Sequence, residues 1–256
     1  MTDSQHANIH DRFEDLRTTR SRAVKLFGTA VGVTFFVSEA RKLLTSSPDL
    51  LDYLYLALLA SLGAKVAIWI LISEGELKFI SKWLDPKNYD IPTERTTIYA
   101  LGVTLTALIL TAKNLVLFGI CYVLYSVGNL YGWWRLRHEL RIAIPATFER
   151  LKDEDPAKTE ISRRALDAMT AYYLKPPQVL RCWVTLIAAL AALSVACSAR
   201  LRHSQLGSVV AYALCIFDIL LVEEAWIGYW RVKFYAAMRP ISAAEYERER
   251  QAHEQV

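Results

Sequence analysis

Three carboxylates interrupt the most apolar part of the chain. Between Leu206 and Trp230 the sequence is apolar apart from Asp218, Glu223 and Glu224. A charge at the centre of a bilayer costs about 2.5–3.5 kcal/mol on insertion scales, so a carboxylate there is a candidate for function by default. Asp218 stands 12 residues after Leu206, near mid-depth of a spanning helix. Two chemistries fit such a group. It can belong to a path for ions or protons, or it can join helices as a hydrogen-bonded or uncharged carboxylic acid, and the sequence favours the second. Lys65 and Lys113 are the basic groups expected at comparable hydrophobic depth, so a pair of Asp218 with either is open to it. Glu223 and Glu224 lie one turn further on and are predicted to reach water at the interface.

Other chemistries find little support. Of the five histidines, His6, His10, His138, His203 and His253, no two lie in the same apolar segment; His6 and His10 stand four apart in the polar start, and no HExxH exists to hold a metal. No GxSxG, GxxxxGK[ST] or GxGxxG is present. Cys121, Cys182, Cys197 and Cys215 all lie in apolar segments at no metal or redox spacing, and read as small core hydrophobes. We therefore expect a protein that is not an enzyme, with no catalytic residues, cofactor or metal. The net charge of +4 is mild and spread along the chain, unlike the patch of a nucleic-acid binder.

The elements that must position these charges are long apolar runs. Asn114–Trp134 contains 21 residues without a charge, Cys182–Ala199 contains 18 and Thr96–Ala112 contains 17. At 1.5 Å per residue, roughly 20 such residues cross a hydrocarbon core of about 30 Å. The predicted fold class is all-α, a multi-pass membrane bundle of about four spans, or five. Two runs end alike, in "GWWRLRHEL" at Gly132–Leu140 and "GYWRVKFYA" at Gly228–Ala236. An amphipathic aromatic followed by arginine suits the headgroup level. Trp133, Trp134, Arg135, Tyr229, Trp230 and Arg231 are thus predicted interface anchors.

Ile98–Trp134 would make about 55 Å of helix, nearly two bilayer thicknesses. Either a hairpin reverses at Lys113-Asn114 or one helix crosses and protrudes. With no Gly or Pro to turn on, the single long helix is preferred. Pro86 and Pro92 confine any helix in Glu74–Arg95 to its first half. Asp153–Pro156 reads as a loop before a helix starting near Lys158, "KPPQ" at Lys175–Gln178 as the stop before a span, and Arg200–Gln205 as the turn of a final hairpin.

Near the start, Ile9, Phe13, Leu16, Val24 and Phe27 recur on one helical face, with Arg17, Arg20, Arg22 and Lys25 around it. A helix of this kind lies in the membrane plane and binds anionic lipid. Residues 1–22 are too charged for a secretory signal. The expected organisation is an amphipathic region (1–48), a first membrane-helix group (49–134), a charged solvent-exposed helical linker (135–179), a membrane hairpin (180–238) and a charged tail (239–256).

The order of these segments resembles the peroxin-eleven family, which elongates and divides peroxisomes and glycosomes. The resemblance rests on the basic amphipathic start, on "LLASLGAKVAIWILISEGELKFISKWL" (Leu58–Leu84), on "LYSVGNLYGWWRLRHEL" (Leu124–Leu140), on the charged loop and on "LGSVVAYALCIFDILL" (Leu206–Leu221). The chain departs from the family in lacking its GRDK-like motif; "TTRSRAVKLF" (Thr18–Phe27) stands about where that motif would be. What the resemblance implies is membrane shaping by helix insertion and self-association, in a peroxisomal or glycosomal membrane. Membrane lipids, further copies of the chain and division-machinery proteins would be the partners.

Overall fold

A computed structural model of the chain describes residues 34–44, 48–84, 91–151, 156–198 and 204–254. The predicted amphipathic face, from Ile9 to Phe27, lies outside the described residues. Within them the chain is helical throughout, with no strand. Helix α1 covers Thr34–Leu44, α2 Leu50–Trp83, α3 Ile91–Thr111 and α4 Leu115–Leu151. Helix α5 covers Pro156–Met169 and ends in a π-helical turn, Thr170–Leu174. Helix α6 covers Pro176–Cys197 and α7 Gln205–Phe217; a second π-helical segment, Asp218–Ala225, then leads into α8, Trp226–Glu254.

The punctuation is chemical. Helix α3 starts at Ile91 with Pro92 in its first turn, and α6 starts with Pro176 and Pro177, positions whose N–H groups would have no partner inside the helix. Lys175 before them is extended and breaks the helix, while Ser204 caps α7 by accepting from the Gly207 N–H at 3.0 Å. Helix α5 begins at Pro156, two residues before the expected start.

One preference is overturned. Ile98–Trp134 is not a single rod: α3 stops at Thr111, the chain turns through Ala112–Asn114, and α4 returns packed along α3. The turn needs neither Gly nor Pro. The Asn114 N–H donates to the Thr111 carbonyl at 2.8 Å, and the Asn114 side chain accepts from the Leu117 N–H at 3.2 Å, capping the new helix. Lys113, displayed by this turn, is exposed and pairs with Glu39 of α1, which also binds Lys42 at 2.9 Å. The Lys113 hydrogen bond, then that of Lys42, holds the Glu39 carboxyl below its ordinary value.

Three helical stretches, Leu115–Leu151, Thr159–Cys197 and Gln205–Ile241, are long and apolar enough to cross a membrane, the second being interrupted at Lys175. Only 28%, 33% and 39% of their apolar windows are buried within the chain. Leu124, Leu180, Trp183, Ile187 and Leu221 therefore point outward. Surfaces of this kind require an apolar solvent, as lipid supplies.

The interior has two cores, stacked along the helices. In the first, Tyr55, Leu58 and Leu62 of α2 meet Leu108, Phe118, Tyr122, Ala192, Tyr212 and Ile219. In the second, Trp83 meets Leu140, Ile144, Leu166, Tyr173, Phe234 and Met238. Helices α2 and α4, of 34 and 37 residues, are about 50 and 55 Å long and run through both levels. The charged stretch 135–179 thus carries a buried face of its own, and the charged tail continues α8 to Glu254.

Helices α4 and α6 form the most extensive pair. Small residues allow it: Ala189 and Ala192 are buried, and a Cβ at Gly119 would stand 3.1 Å from the Leu193 Cα. Leucine at Gly119 should lower the thermal midpoint in detergent, at an overpacking cost of about 1–3 kcal/mol. Alanine at Gly228, where nothing lies within 4 Å, should leave the midpoint unchanged.

Candidate functional site

Between the two cores lies a layer of charge. On α2, Lys65 follows the first-core residues Leu58 and Leu62; on α4, Asn129 falls between Tyr125 of the first core and Trp133 beside the second. The π-helical segment places Glu223 between Ile219 and Trp230 in the same way. Lys65, Arg181, Asp218 and Glu223 are 6%, 2%, 1% and 0% exposed, so bulk water solvates none of them. Each must find its partner inside the protein.

Glu223 is the hub. It forms an ion pair with Lys65, and Arg181 of α6 approaches its Oε1 at 3.8 Å. The Tyr125 hydroxyl donates to Oε2 at 3.3 Å, and the Asn129 amide donates to Oε1 at 3.1 Å. Three helices, α2, α4 and α6, therefore converge on one carboxylate of the π-helical segment. Lys65 also reaches Glu224 at 3.3 Å and sits 5.6 Å from the Tyr125 ring centre. Arg181 lies 5.6 Å from the Trp133 ring centre, a cation–π contact that covers the guanidinium on its other side.

The π-helical turn explains how one segment presents both Asp218 and Glu223 inward. At 3.6 residues per turn, positions i and i+5 of an α-helix point about 140° apart. In a π-helix the hydrogen bonds run from i to i+5, so the same two positions come round to one face. Asp218 accepts a hydrogen bond from the Tyr122 hydroxyl of α4, while its second oxygen, Oδ1, has no hydrogen-bond partner. Thr185 of α6 faces Asp218, but no hydrogen bond of ordinary geometry joins Thr185 Oγ1 to it. Both ends of the buried Gln178 amide are also without partners.

Two readings of the sequence change. Asp218 pairs with neither Lys65 nor Lys113: Lys65 is taken by the glutamates, and Lys113 lies at the α3–α4 turn. Glu223 is not at a wet interface but, at 0% exposure, is the most enclosed charged residue among the described residues. Arg181 was not foreseen at depth, because it falls in the second turn of α6, just after the proline pair. Its signal was periodic: Gln178, Arg181 and Thr185, at i, i+3 and i+7, form one polar stripe on an otherwise apolar helix.

The aromatic signatures divide their labour. Trp134 and Tyr229 point outward, whereas Trp133 and Trp230 pack against the second core. Arg135 binds Glu139 at 2.8 Å, one turn along its own helix. Arg231 is half-buried, and Lys233 lies 4.4 Å from the Tyr229 ring centre. Among the described residues no group of three or more His, Cys, Asp or Glu is placed to hold a metal.

The fold and site define a class: an all-helical chain with three helices fit to cross a membrane and a buried cluster of opposite charges between them. No protein-family model matches the chain, and neither the curated proteins nor the solved structures include a match.

Removing one member of a buried pair leaves an uncompensated charge, at a cost of about 3–5 kcal/mol. Glu223→Gln should destabilise the detergent-solubilised protein more than Lys65→Met. The first strands Arg181 and leaves Lys65 only the partly exposed Glu224, and the second leaves Glu223 its arginine. Equal midpoints for the two variants, read by intrinsic fluorescence, would contradict this arrangement.

Proposed function

We propose that the chain is a small multi-pass membrane protein that moves a small ion or charged metabolite across the bilayer, using the Lys65–Glu223–Arg181 cluster as its intramembrane site. The observation that carries this reading is the convergence of three helices, α2, α4 and α6, on a single charged residue with no exposed surface. Ionisable groups are costly at such depth and mark substrate or ion pathways. The partners left open on Asp218, Thr185 and Gln178 support it, since unsatisfied polar atoms inside a bundle are places where a transient ligand or water can bind. In this reading the span count rises from the four expected with one long helix to five: α2, α3, α4, α6 and the α7–α8 unit.

Vesicles reconstituted with the full chain and loaded with a pH-sensitive dye test it, using imposed gradients of protons, sodium or potassium. Flux above protein-free vesicles is expected for at least one cation. Glu223→Gln should lower that flux by roughly tenfold or more, the equivalent of one charge-assisted hydrogen bond. Wild-type vesicles no leakier than lipid alone would contradict the reading.

A second reading follows from the amphipathic face Ile9–Phe27 and the resemblance to the peroxin-eleven family. In it the chain shapes a peroxisomal or glycosomal membrane, non-enzymatically, as its N-terminal helix wedges into one leaflet and copies self-associate. Arg17, Arg20, Arg22 and Lys25 would meet anionic headgroups. A peptide of this segment should tubulate anionic liposomes, and changing Phe13, Leu16 and Phe27 to Glu should abolish the effect. Unchanged tubulation by the altered peptide would end that reading.

A further inference from the structure

The cluster does not balance when every group is charged. Two cations, Lys65 and Arg181, face three carboxylates, Asp218, Glu223 and Glu224. Glu223 takes contacts from both cations, and Glu224 takes Lys65 at 3.3 Å. Among the described residues Asp218 has no cation within ion-pair reach, and its hydrogen bond comes from the neutral Tyr122 hydroxyl. It is 1% exposed, and its Oδ1 is unpartnered. An isolated carboxylate in such surroundings is strongly disfavoured against its neutral form.

We propose that Asp218 is a proton-binding site: a carboxylic acid that holds its proton on Oδ1 and exchanges it with water at one membrane face. This rests on the ion-moving reading above and assigns the species bound there. With the proton on, the five groups sum to zero charge; with it off, they sum to minus one. The proton comes from water and returns to water, and no other bond is made or broken.

The geometry fits both states. In the neutral acid, Oδ2 accepts from the Tyr122 hydroxyl, as found, and the Thr185 hydroxyl stands beside the carboxyl as an acceptor for its proton. The ionised state has the Thr185 hydroxyl as a second donor. The groups that set the balance come from every side: Lys65 from α2, Tyr122 and Tyr125 from α4, Arg181 and Cys182 from α6, Cys215 from α7 and Glu223 five residues along.

A polar stripe continues from the site along α6. Thr185, Arg181 and the unpartnered Gln178 follow one another along the same face of α6, over about 10 Å of helix. They lead from Asp218, past Glu223, towards Lys175 and the second core. In the opposite direction the first core packs Cys215 and Tyr212 of α7 with Phe118 and Ala192. There the Tyr212 hydroxyl is taken by the Ala112 carbonyl at 3.0 Å.

Infrared spectroscopy of the full chain in phosphatidylcholine–phosphatidylglycerol bilayers reads the proton directly. At neutral pH the wild type should show the carbonyl band of a protonated carboxylic acid, lost in Asp218→Asn. In Tyr122→Phe the band should move to higher frequency as its hydrogen bond is removed. If Asp218→Asn fails to fold, Tyr122→Phe decides: an unshifted band overturns the assignment. No carboxylic-acid band at neutral pH, or one that survives in Asp218→Asn, also overturns it. So does a band that vanishes when sodium or potassium is added, which would make the site one for a metal cation. The band is read without transport. Its absence would refute the proton site while leaving any flux result standing, and a vesicle that conducts nothing would refute the ion-moving reading while leaving the band.

Discussion

The neutralisation of Glu223 by Lys65 and Arg181 is the interaction on which the rest of the bundle depends. Three segments far apart in sequence, α2, α6 and the π-helical turn, supply those three charges, and α4 supplies the hydroxyl and amide that complete the shell. Lipid offers no alternative partner, so the helices can separate only by exposing a charge to hydrocarbon or by protonating it. The cluster fixes the rotation of each helix about its axis. Apolar packing alone would do so weakly, since lipid chains are as good a solvent for leucine as another leucine is.

The two cores follow from this arrangement. Below the charged layer, close approach of α4 and α6 through Gly119, Ala189 and Ala192 seals the first core. Beyond it, Trp133 links the levels, its ring facing both Arg181 and Tyr173. The second core then uses the far ends of α2, α4 and α8 with α5, and Arg137 ties it down by donating to the Leu174 carbonyl, the last residue of the first π-helical turn. Both π-helical turns sit at places where consecutive inward-facing groups are needed: Tyr172 and Tyr173 in one, Asp218 and Glu223 in the other.

Much of this was legible in the sequence, because run length and punctuation are local properties. The apolar runs, the stop at Lys175–Pro177, the hairpin after Cys197 and the placing of Asp218 and Lys65 within apolar helices all follow from residue type and spacing. What was not legible depends on partners or on non-standard periodicity. The α3–α4 turn uses the side chain of Asn114 as a cap, a weaker mark than Gly or Pro. Glu223 reads as interfacial under 3.6-residue periodicity, and only the π-helical turn brings it inward beside Asp218. Arg181 lies so close to the proline pair that it reads as a flanking charge, although its stripe with Gln178 and Thr185 marks a buried face. Asp218 pairs with neither lysine for a simple reason: Lys65 had two better partners, and Lys113 belonged to a turn.

The most direct measurement is a solid-state magnetic resonance experiment in lipid bilayers, with isotope labels confined to the Lys65 side-chain nitrogen and the Glu223 carboxyl carbon. Strong dipolar coupling between the two, as in a direct ion pair, is the expected result. Absence of coupling in a folded, bilayer-embedded sample would contradict the account, since the helices would then be held by something other than this pair.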